Sequence, residues 1–205
     1  MPQYKLIYFN VKARAETARL IFAYAGVPYE DYRLKDGEWP GTLKAATPLG
    51  QLPVLEVDGK QLAQSNAINR YLARQFKLTG KDDWESAQCD MIADAVIDMV
   101  TKMTPWFVEK DEAKKKEIFE TIKKEHMVGY FDTFEKLLVK NGTGYYVGNQ
   151  LTWTDLMMMH VEQRWLGEMF ADLKKDYPKM LEHEKKISAL PNIAKWLETR
   201  PKTPF

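Results

Sequence analysis

The chain has 205 residues, of which 45% are hydrophobic, so one large or two small domains can bury a core. Thirty basic and 29 acidic residues leave a net charge of +1, which argues against a nucleic acid or a membrane surface as partner. The single cysteine, Cys89, excludes an intrachain disulfide and a C-x-x-C redox pair. No signal-peptide pattern and no membrane-span pattern is found, and we expect a cytoplasmic protein.

The first third of the chain alternates strand and helix patterns. Tyr4–Phe9 is a short apolar and aromatic run that predicts a strand. Apolar residues then recur at helical spacing over Ala15–Ala25, and Gly26 and Pro28 are stop signals. Tyr29–Leu34 alternates as a second strand. Two strands separated by a helix predict a parallel pair with a right-handed crossover.

A hairpin and a helix follow. Val54–Val57 and Lys60–Leu62 are short strands joined by Asp58-Gly59, a strong turn signal. Ser65 then opens an amphipathic helix that ends near Phe76. Because a hairpin adds antiparallel strands, the sheet should be mixed.

The rest of the chain is predicted to be helical. The polar run at 77–84 indicates a linker between an α/β domain at 1–76 and an all-helical domain at 85–205. Pro105 is expected to kink or break the first long helix, which starts at Trp84. Further helices are predicted at 113–140, 152–170, 178–188 and 191–199.

Three features of the α/β part allow two interpretations each. Tyr8, near the end of the first strand, either packs in the core or faces a ligand at the carboxyl end of the strand. Pro53 either enters its strand through an ordinary trans bond, or a cis bond frees the backbone of Leu52 to pair with a peptide ligand. Ser65 either caps the helix or helps its N-terminus bind a carboxylate.

Two features of the helical part concern charge and capping. Asp90, Asp94 and Asp98 recur every four residues, and their repulsion is either compensated by a cation or basic partner or relieved by solvent. Thr152 and Asp155 have capping-box spacing, which indicates a structural role. The three histidines lack zinc-ligand spacing, and Cys89 has no obvious activating neighbour.

Taken together, several segments resemble the sigma class of cytosolic glutathione transferases, which includes arthropod and helminth enzymes and haematopoietic prostaglandin D synthase. The segments, in chain order, are Tyr4–Asn10, Arg14–Glu16, Trp39–Pro40, Gly50–Leu55, Val57–Gly59, Gln64–Leu72, Leu151–Asp155 and Leu190–Ile193. The resemblance implies a thioredoxin-like N-terminal domain with a mixed four-stranded sheet, an all-α C-terminal domain and a homodimer.

The resemblance also implies a glutathione site. Tyr8 would donate a hydrogen bond to the sulfur, and Arg14 would support Tyr8 electrostatically. The remaining glutathione contacts that it implies are Trp39 and Lys44 at the glycine end, Gln51, Leu52 and cis-Pro53 along the cysteinyl backbone, Gln64 and Ser65 at the γ-glutamyl carboxylate, and Asp98 of the partner subunit at the ammonium.

An apolar pocket for the second substrate is implied next to the thiol. Its candidate residues are Phe9, Val11, Ala13, Trp106, Met157 and Phe205. Prostaglandin synthases of this class have interface aspartates that bind a divalent cation, and Ile97 occupies one of those positions. Glutathione is therefore expected as co-substrate, with no metal required.

The function implied is activation of the glutathione thiol for conjugation to hydrophobic electrophiles, with hydroperoxide reduction as a further reaction. Prostaglandin D synthase activity, an isomerisation on the same site, is the alternative. A non-enzymatic lens protein like the S-crystallins is disfavoured because Tyr8 is kept and no long insertion is present. A glutathione-dependent binding or transport protein stays open.

Overall fold

The structure, a computed structural model, describes residues 2–39 and 41–203. The chain forms two compact units, Met1–Thr79 with Ile187–Phe205 and Gly80–Lys186. The predicted order, an α/β part followed by a helical part, is confirmed. The domain limits at residues 76 and 85 stay a prediction, and the unit that holds the sheet also contains the last helix of the chain.

The sheet has four strands, β1 Tyr4–Phe9, β2 Glu30–Leu34, β3 Val54–Val57 and β4 Lys60–Ala63. Their order is β2-β1-β3-β4, with β1 parallel to β2 and both other pairs antiparallel. The mixed four-stranded sheet expected from the sequence is therefore confirmed.

The hairpin turn between β3 and β4 forms where the sequence predicts it. Asp58 and Gly59 both have positive φ angles, 48° and 79°. Such angles match the twist of a two-residue hairpin, which explains why an Asp-Gly pair is placed there. The Asp58 carboxylate also accepts a hydrogen bond of 2.9 Å from the backbone N–H of Gln3, so the turn is tied to the start of β1.

Ten α-helices are found in the described part of the chain, together with 3-10 and π-helical turns. The helices are α1 Glu16–Ala25, α2 Thr42–Ala45, α3 Ser65–Gln75, α4 Asp83–Lys102, α5 Thr104–Val108, α6 Glu112–Ile122, α7 Val128–Asn141, α8 Trp153–Val161, α9 Pro178–Ser188 and α10 Pro191–Thr199. The 3-10 segments are Ala13–Ala15 and Ala171–Asp176, and the π-helical segments are Lys123–Met127 and Glu162–Met169.

The start of α3 differs from the sequence prediction. Ser65 is the first helical residue, and the N-cap is Gln64, which makes no side-chain capping hydrogen bond. The prediction of Ser65 as N-cap is wrong because the chain turns directly from β4 into α3 at Gln64, which has a left-handed φ of 72°. The N-terminus of α3 is thus left without a side-chain cap.

The helical unit contains the long helices, with breaks that the sequence shows only in part. The first long helix, α4, ends at Lys102, and α5 then begins with Pro105 in its first turn. The break expected at this proline is therefore confirmed. Asp82 caps α4 by accepting from the backbone N–H of Glu85 at 2.9 Å. The capping box of Thr152 and Asp155 is present at α8, which confirms that prediction. No helix in residues 2–39 and 41–203 has the length and apolar character needed to cross a bilayer.

Candidate active site

The register of the sheet brings several predicted site residues to one end of it. Ile7 of β1 pairs with Val54 of β3, and Val54 pairs with Ala63 of β4. One step further along each strand lie Tyr8, Pro53 and Gln64. Although these three residues are far apart in sequence, antiparallel pairing places them at the same end of the sheet, where β1 and β4 finish and β3 begins.

Tyr8 is buried, with 6% of its surface exposed, and the backbone of the adjoining turn lies near its hydroxyl. The backbone N–H of Arg14, in the 3-10 turn before α1, lies close enough to the phenol oxygen to favour its ionised form. Burial raises the pKa of Tyr8 above its ordinary value, whereas the backbone N–H of Arg14 and the charges of Arg14 and Arg19 oppose the rise. The phenol is therefore protonated at neutral pH and is able to donate a hydrogen bond.

Arg19 is a fully buried guanidinium next to Tyr8, which the sequence analysis missed. Its Cζ lies 5.9 Å from the centroid of the Tyr8 ring. Asp31 and Glu16 pair with it at 3.0 Å and 3.3 Å. The sequence contains one signal for a buried ion pair here. Glu16 and Arg19 have i,i+3 spacing on the predicted helix, among apolar residues that are buried.

Two aromatic side chains extend the surface beside Tyr8. Phe9 is 39% exposed, and its ring meets the Tyr8 ring edge-on at 5.5 Å and the Trp39 ring at 6.0 Å. Trp39 is half-buried and packs with Leu52 against a small cluster of the sheet. The cluster consists of Ile7, Leu34, Val54 and Ala63. Residue 40, next to Trp39, lies outside the described residues.

The segment before β3 contains the expected cis-proline. The Leu52–Pro53 bond is cis, which confirms that part of the interpretation. Gln51 and Gln64 are both exposed, and the Gln64 amide donates to the Gln51 side-chain oxygen at 3.3 Å. Ser65, buried at the first position of α3, follows directly. Five residues of the implied glutathione site, Gln51, Leu52, Pro53, Gln64 and Ser65, are thereby grouped in one place.

Lys44 lies on the short helix α2, and its side chain is exposed. Gly50, with φ of 60°, is close enough that an added Cβ would lie 3.8 Å from the Lys44 Cε atom. The aliphatic part of Lys44 therefore runs beside the turn that leads to Gln51.

The residues expected around the second substrate lie in both compact units. In the sheet unit, Val11 is half-buried and Ala13 is exposed with a left-handed φ of 33°. In the helical unit, Met157 is buried in the core, and Trp106 is half-buried with Lys115 Nζ 4.9 Å from its ring centroid. The prediction for Phe205 lies outside the described residues.

Asp98 lies on α4 and is exposed. Its charge contributes, after burial, to raising the pKa of Tyr130 on α7. Its expected contact with glutathione in a partner subunit stays a prediction.

Other chemistry-bearing residues of the helical unit are structural. Cys89 is fully buried, and burial raises the pKa of its thiol, which disfavours a nucleophilic thiolate. His183 bridges Glu162 at 2.8 Å and Asp155 at 3.2 Å, and the Tyr146 hydroxyl donates to Glu162 at 2.8 Å. Within the described residues, no group of three or more His, Cys, Asp or Glu side chains is arranged to hold a metal ion.

Comparisons with known proteins cover both parts of the chain. Residues 4–74 match the family model "Glutathione S-transferase, N-terminal domain", and residues 97–200 match "Glutathione S-transferase, C-terminal domain". A probable glutathione S-transferase of Caenorhabditis elegans is 44% identical over 210 residues, which cover all of both chains. The hematopoietic prostaglandin D synthase of Gallus gallus is 41% identical over 99% of each chain. A solved glutathione S-transferase from Ascaris lumbricoides superposes with a TM-score of 0.86 at 43% identity, again over both full chains.

Proposed function

We infer, because this chain belongs to the glutathione S-transferase family, that its Tyr8 hydroxyl holds the sulfur of bound glutathione as a thiolate. The observation that carries this proposal is the buried, protonated Tyr8 phenol, which lies beside the Arg14 backbone N–H at the end of the sheet shared with cis-Pro53 and Gln64. A phenol that keeps its proton at neutral pH donates to an anion rather than repelling it.

The chemistry demands such a donor. A free thiol with a pKa of about 8.5 is only a few per cent ionised at pH 7. Lowering that pKa by about two units requires roughly 2.7 kcal/mol of preference for the anion. A phenol donor backed by the positive charges of Arg14 and Arg19 is of the right kind and sign to supply it.

The rest of glutathione is proposed to lie at the same end of the sheet. Gln64 and the uncapped start of α3 at Ser65 offer an amide and backbone N–H groups to the γ-glutamyl carboxylate. Leu52 beside cis-Pro53 offers its backbone to the cysteinyl residue, as a strand would. The remaining proposed contacts are Gln51, Trp39, Lys44 and, in a homodimer, Asp98 of the partner subunit.

The thiolate then attacks a hydrophobic electrophile. The thiol proton passes to water on ionisation, and the thiolate sulfur then forms a bond to the electrophilic carbon. In a substitution the leaving group departs with its electron pair, whereas in an addition the resulting anion takes a proton from water. The proposed pocket residues are Phe9, Val11, Ala13, Trp106, Met157 and Phe205. We place the reaction in the cytoplasm, with glutathione as the only co-substrate and without a metal.

The test is Tyr8→Phe, which removes one hydroxyl and leaves the ring. We expect conjugation of chlorodinitrobenzene to fall by about a hundredfold, the lower range for removing one donor to a developing anion. Glutathione binding should persist, while the ultraviolet absorbance of the bound thiolate at neutral pH should be lost.

The matched control is Tyr4→Phe, a change of the same kind at a buried position of the same strand. It should keep full turnover. Unchanged turnover and thiolate absorbance in Tyr8→Phe would reject the proposed role of Tyr8.

Prostaglandin isomerisation is the second candidate, because the match to hematopoietic prostaglandin D synthase covers 99% of both chains. An isomerase returns glutathione unchanged, whereas a conjugation consumes it. Incubation with prostaglandin H2, followed by product analysis and a free-thiol assay, separates the two activities.

A further inference from the structure

We propose that Arg19 is a positioning residue for the Tyr8 hydroxyl, because it lies against the Tyr8 ring and fastens the start of the turn that contains Arg14. This inference rests on the proposed role of Tyr8 and deepens it. It assigns the support of the catalytic hydroxyl to a buried side chain of α1 that need not touch glutathione.

The first step is the contact between Arg19 and the turn. Nη1 of Arg19 donates to the backbone oxygen of Val11 at 2.7 Å and approaches that of Lys12 at 3.4 Å. These carbonyls belong to the link between β1 and the 3-10 turn Ala13–Ala15, which contains Arg14. The guanidinium therefore fastens the chain immediately before the turn that contains Arg14.

The second step is the rigidity of Arg19 itself. Its Nε donates to Asp31 of β2 at 3.0 Å, and Nη1 also lies 3.3 Å from a Glu16 oxygen. The side chains of Arg19 and Glu16 are completely buried. A planar guanidinium bound on two sides in this way has little freedom to rotate, unlike a lysine ammonium.

The third step is the need for such a fastening. Ala13, the first residue of the 3-10 turn, has a left-handed φ of 33°. A non-glycine residue in that region costs free energy and persists only where its surroundings hold it. The hydrogen bonds from Arg19 to the preceding carbonyls are of a strength that offsets this cost.

The fourth step is the charge balance around the guanidinium. Glu16 on α1, Asp31 on β2 and the Tyr29 hydroxyl before β2 are the titratable groups that face Arg19, with Tyr8 on β1. The Nη2 atom is buried and has no hydrogen-bond partner among the described residues. A buried donor left without a partner is costly, which is typical of a residue retained for a site rather than for stability.

The experiment compares Arg19→Met and Arg19→Lys with the wild type by the pH profile of kcat/KM and of bound-thiolate absorbance. Activity is normalised to glutathione-binding sites, so that loss of folded protein does not enter. We expect about fivefold lower kcat/KM near pH 6.5 in both variants, with a much smaller loss near pH 8.5, as expected when the thiol ionises about one pH unit higher. Lysine should not restore the profile, because one ammonium cannot bind Asp31 and the Val11 carbonyl together.

The matched control is Arg33→Met. Arg33 binds the other oxygen of Asp31 at 2.8 Å, but its further contact is the Asn10 side chain at 3.2 Å rather than the carbonyls of the turn. Its pH profile should match the wild type. If Arg19→Met does not fold, the double variant Arg19→Met, Asp31→Asn is measured in its place. This double variant removes the carboxylate that would otherwise lose its partner Arg19.

The outcomes separate the two proposals. Variants at Arg19 that unfold earlier yet keep the wild-type profile per binding site would overturn the positioning role and leave the role of Tyr8 intact. Full restoration by Arg19→Lys would also overturn it, since charge alone would then suffice. A Tyr8→Phe variant with wild-type turnover would sink the proposed function, and the role of Arg19 with it.

Discussion

At the scale of single residues, Gln64 has a backbone conformation that lowers the stability of the fold, while its side chain is proposed to bind glutathione. Gln64 has a φ of 72°, which glycine adopts freely and which costs a non-glycine residue about 1 kcal/mol. Its side chain contacts Gln51 and is proposed to meet the γ-glutamyl carboxylate. A residue kept in a strained conformation at a proposed binding site is a sign that its side chain is needed there.

Gln64→Gly should therefore separate the two effects. We expect the free energy of unfolding to rise by about 0.5–1 kcal/mol because the left-handed conformation no longer carries a penalty. The KM for glutathione should increase by about tenfold, since an amide contact to a carboxylate is lost. Chemical denaturation and steady-state kinetics measure the two quantities.

Lys77→Gly is the matched control. Lys77 has a similar φ of 58° just after α3, where glycine is the favoured residue, and it is exposed. This variant should gain the same stability and keep the wild-type KM. A Gln64→Gly variant with unchanged KM would remove Gln64 from the glutathione site.

The residues of the site were predictable to different degrees. Tyr8, Pro53 and Gln64 belong to local patterns that a resemblance carries over, and strand register then brings them together. Arg19 was not predicted because its role depends on partners in other elements, Asp31 and the Val11 carbonyl, that no local pattern reveals.

At the scale of elements, strands and helix stops were well predicted, and helix irregularities were not. Glycine and proline act locally, so the ends of α1 at Gly26 and the break before Pro105 follow from the sequence. The π-helical turn Lys123–Met127 has no comparable signal, because one extra residue within a helix hardly changes its apolar spacing. The pattern at 113–140 therefore looked like one continuous helix.

The capping box of α8 is the element whose loss should be costliest to folding. Asp155 is fully buried and accepts hydrogen bonds from the backbone N–H of Tyr146 at 2.8 Å and from Thr152 N and Oγ1 at 2.7 and 2.9 Å. Asp155→Ala should lower the free energy of unfolding by about 3 kcal/mol or more, because several buried donors lose their acceptor. Turnover per folded molecule should change little, which denaturation and active-site-normalised kinetics check together.

An exposed cap provides the comparison. Asp111 caps α6 by accepting from the Lys114 N–H at 3.0 Å, and water is able to replace it. Asp111→Ala should cost about 1 kcal/mol. An inactive but fully stable Asp155→Ala variant would contradict the structural role of that carboxylate.

At the scale of the whole molecule, the last helix shows what a linear sequence conceals. Helix α10 belongs to the same compact unit as the sheet, although more than a hundred residues separate them. Trp196 and Arg200 donate to the same oxygen of Glu16 at 3.0 and 2.9 Å. The helix Pro191–Thr199 was predictable from its own sequence pattern. Its contacts with Glu16 were not, because no local periodicity or spacing indicates a contact between residues so distant in sequence.

The buried ionic network of the helical unit gives the protein a predictable dependence on pH. Burial lowers the pKa of His183, but the charge of Glu162 and the hydrogen bonds to Asp155 and Glu162 more than offset it and raise that pKa to about 9. Burial raises the pKa of Glu162 to about 7, although His183 opposes the rise. Both groups thus bind protons more tightly in the folded state than in the unfolded chain.

The sign of the effect follows from these directions. The contribution of Glu162 is complete below its unfolded pKa of about 4.3 and is lost as pH rises through about 7. That of His183 is complete below about 6.5 and is lost as pH rises through about 9. The free energy of unfolding should therefore fall as pH rises from about 5 to about 9, which denaturant titrations across that range measure.

The double variant Glu162→Gln with His183→Gln isolates the network. Both replacements are neutral and retain hydrogen-bonding groups beside Tyr146 and Asp155, so the fall with pH should flatten even if the variant is less stable throughout. His126→Gln, at a half-buried histidine in the π-helical turn, should keep the wild-type slope. A wild-type protein whose stability is level or rises over this range would contradict the protonation scheme, because two buried groups that hold their protons more tightly when folded can act only in the opposite direction.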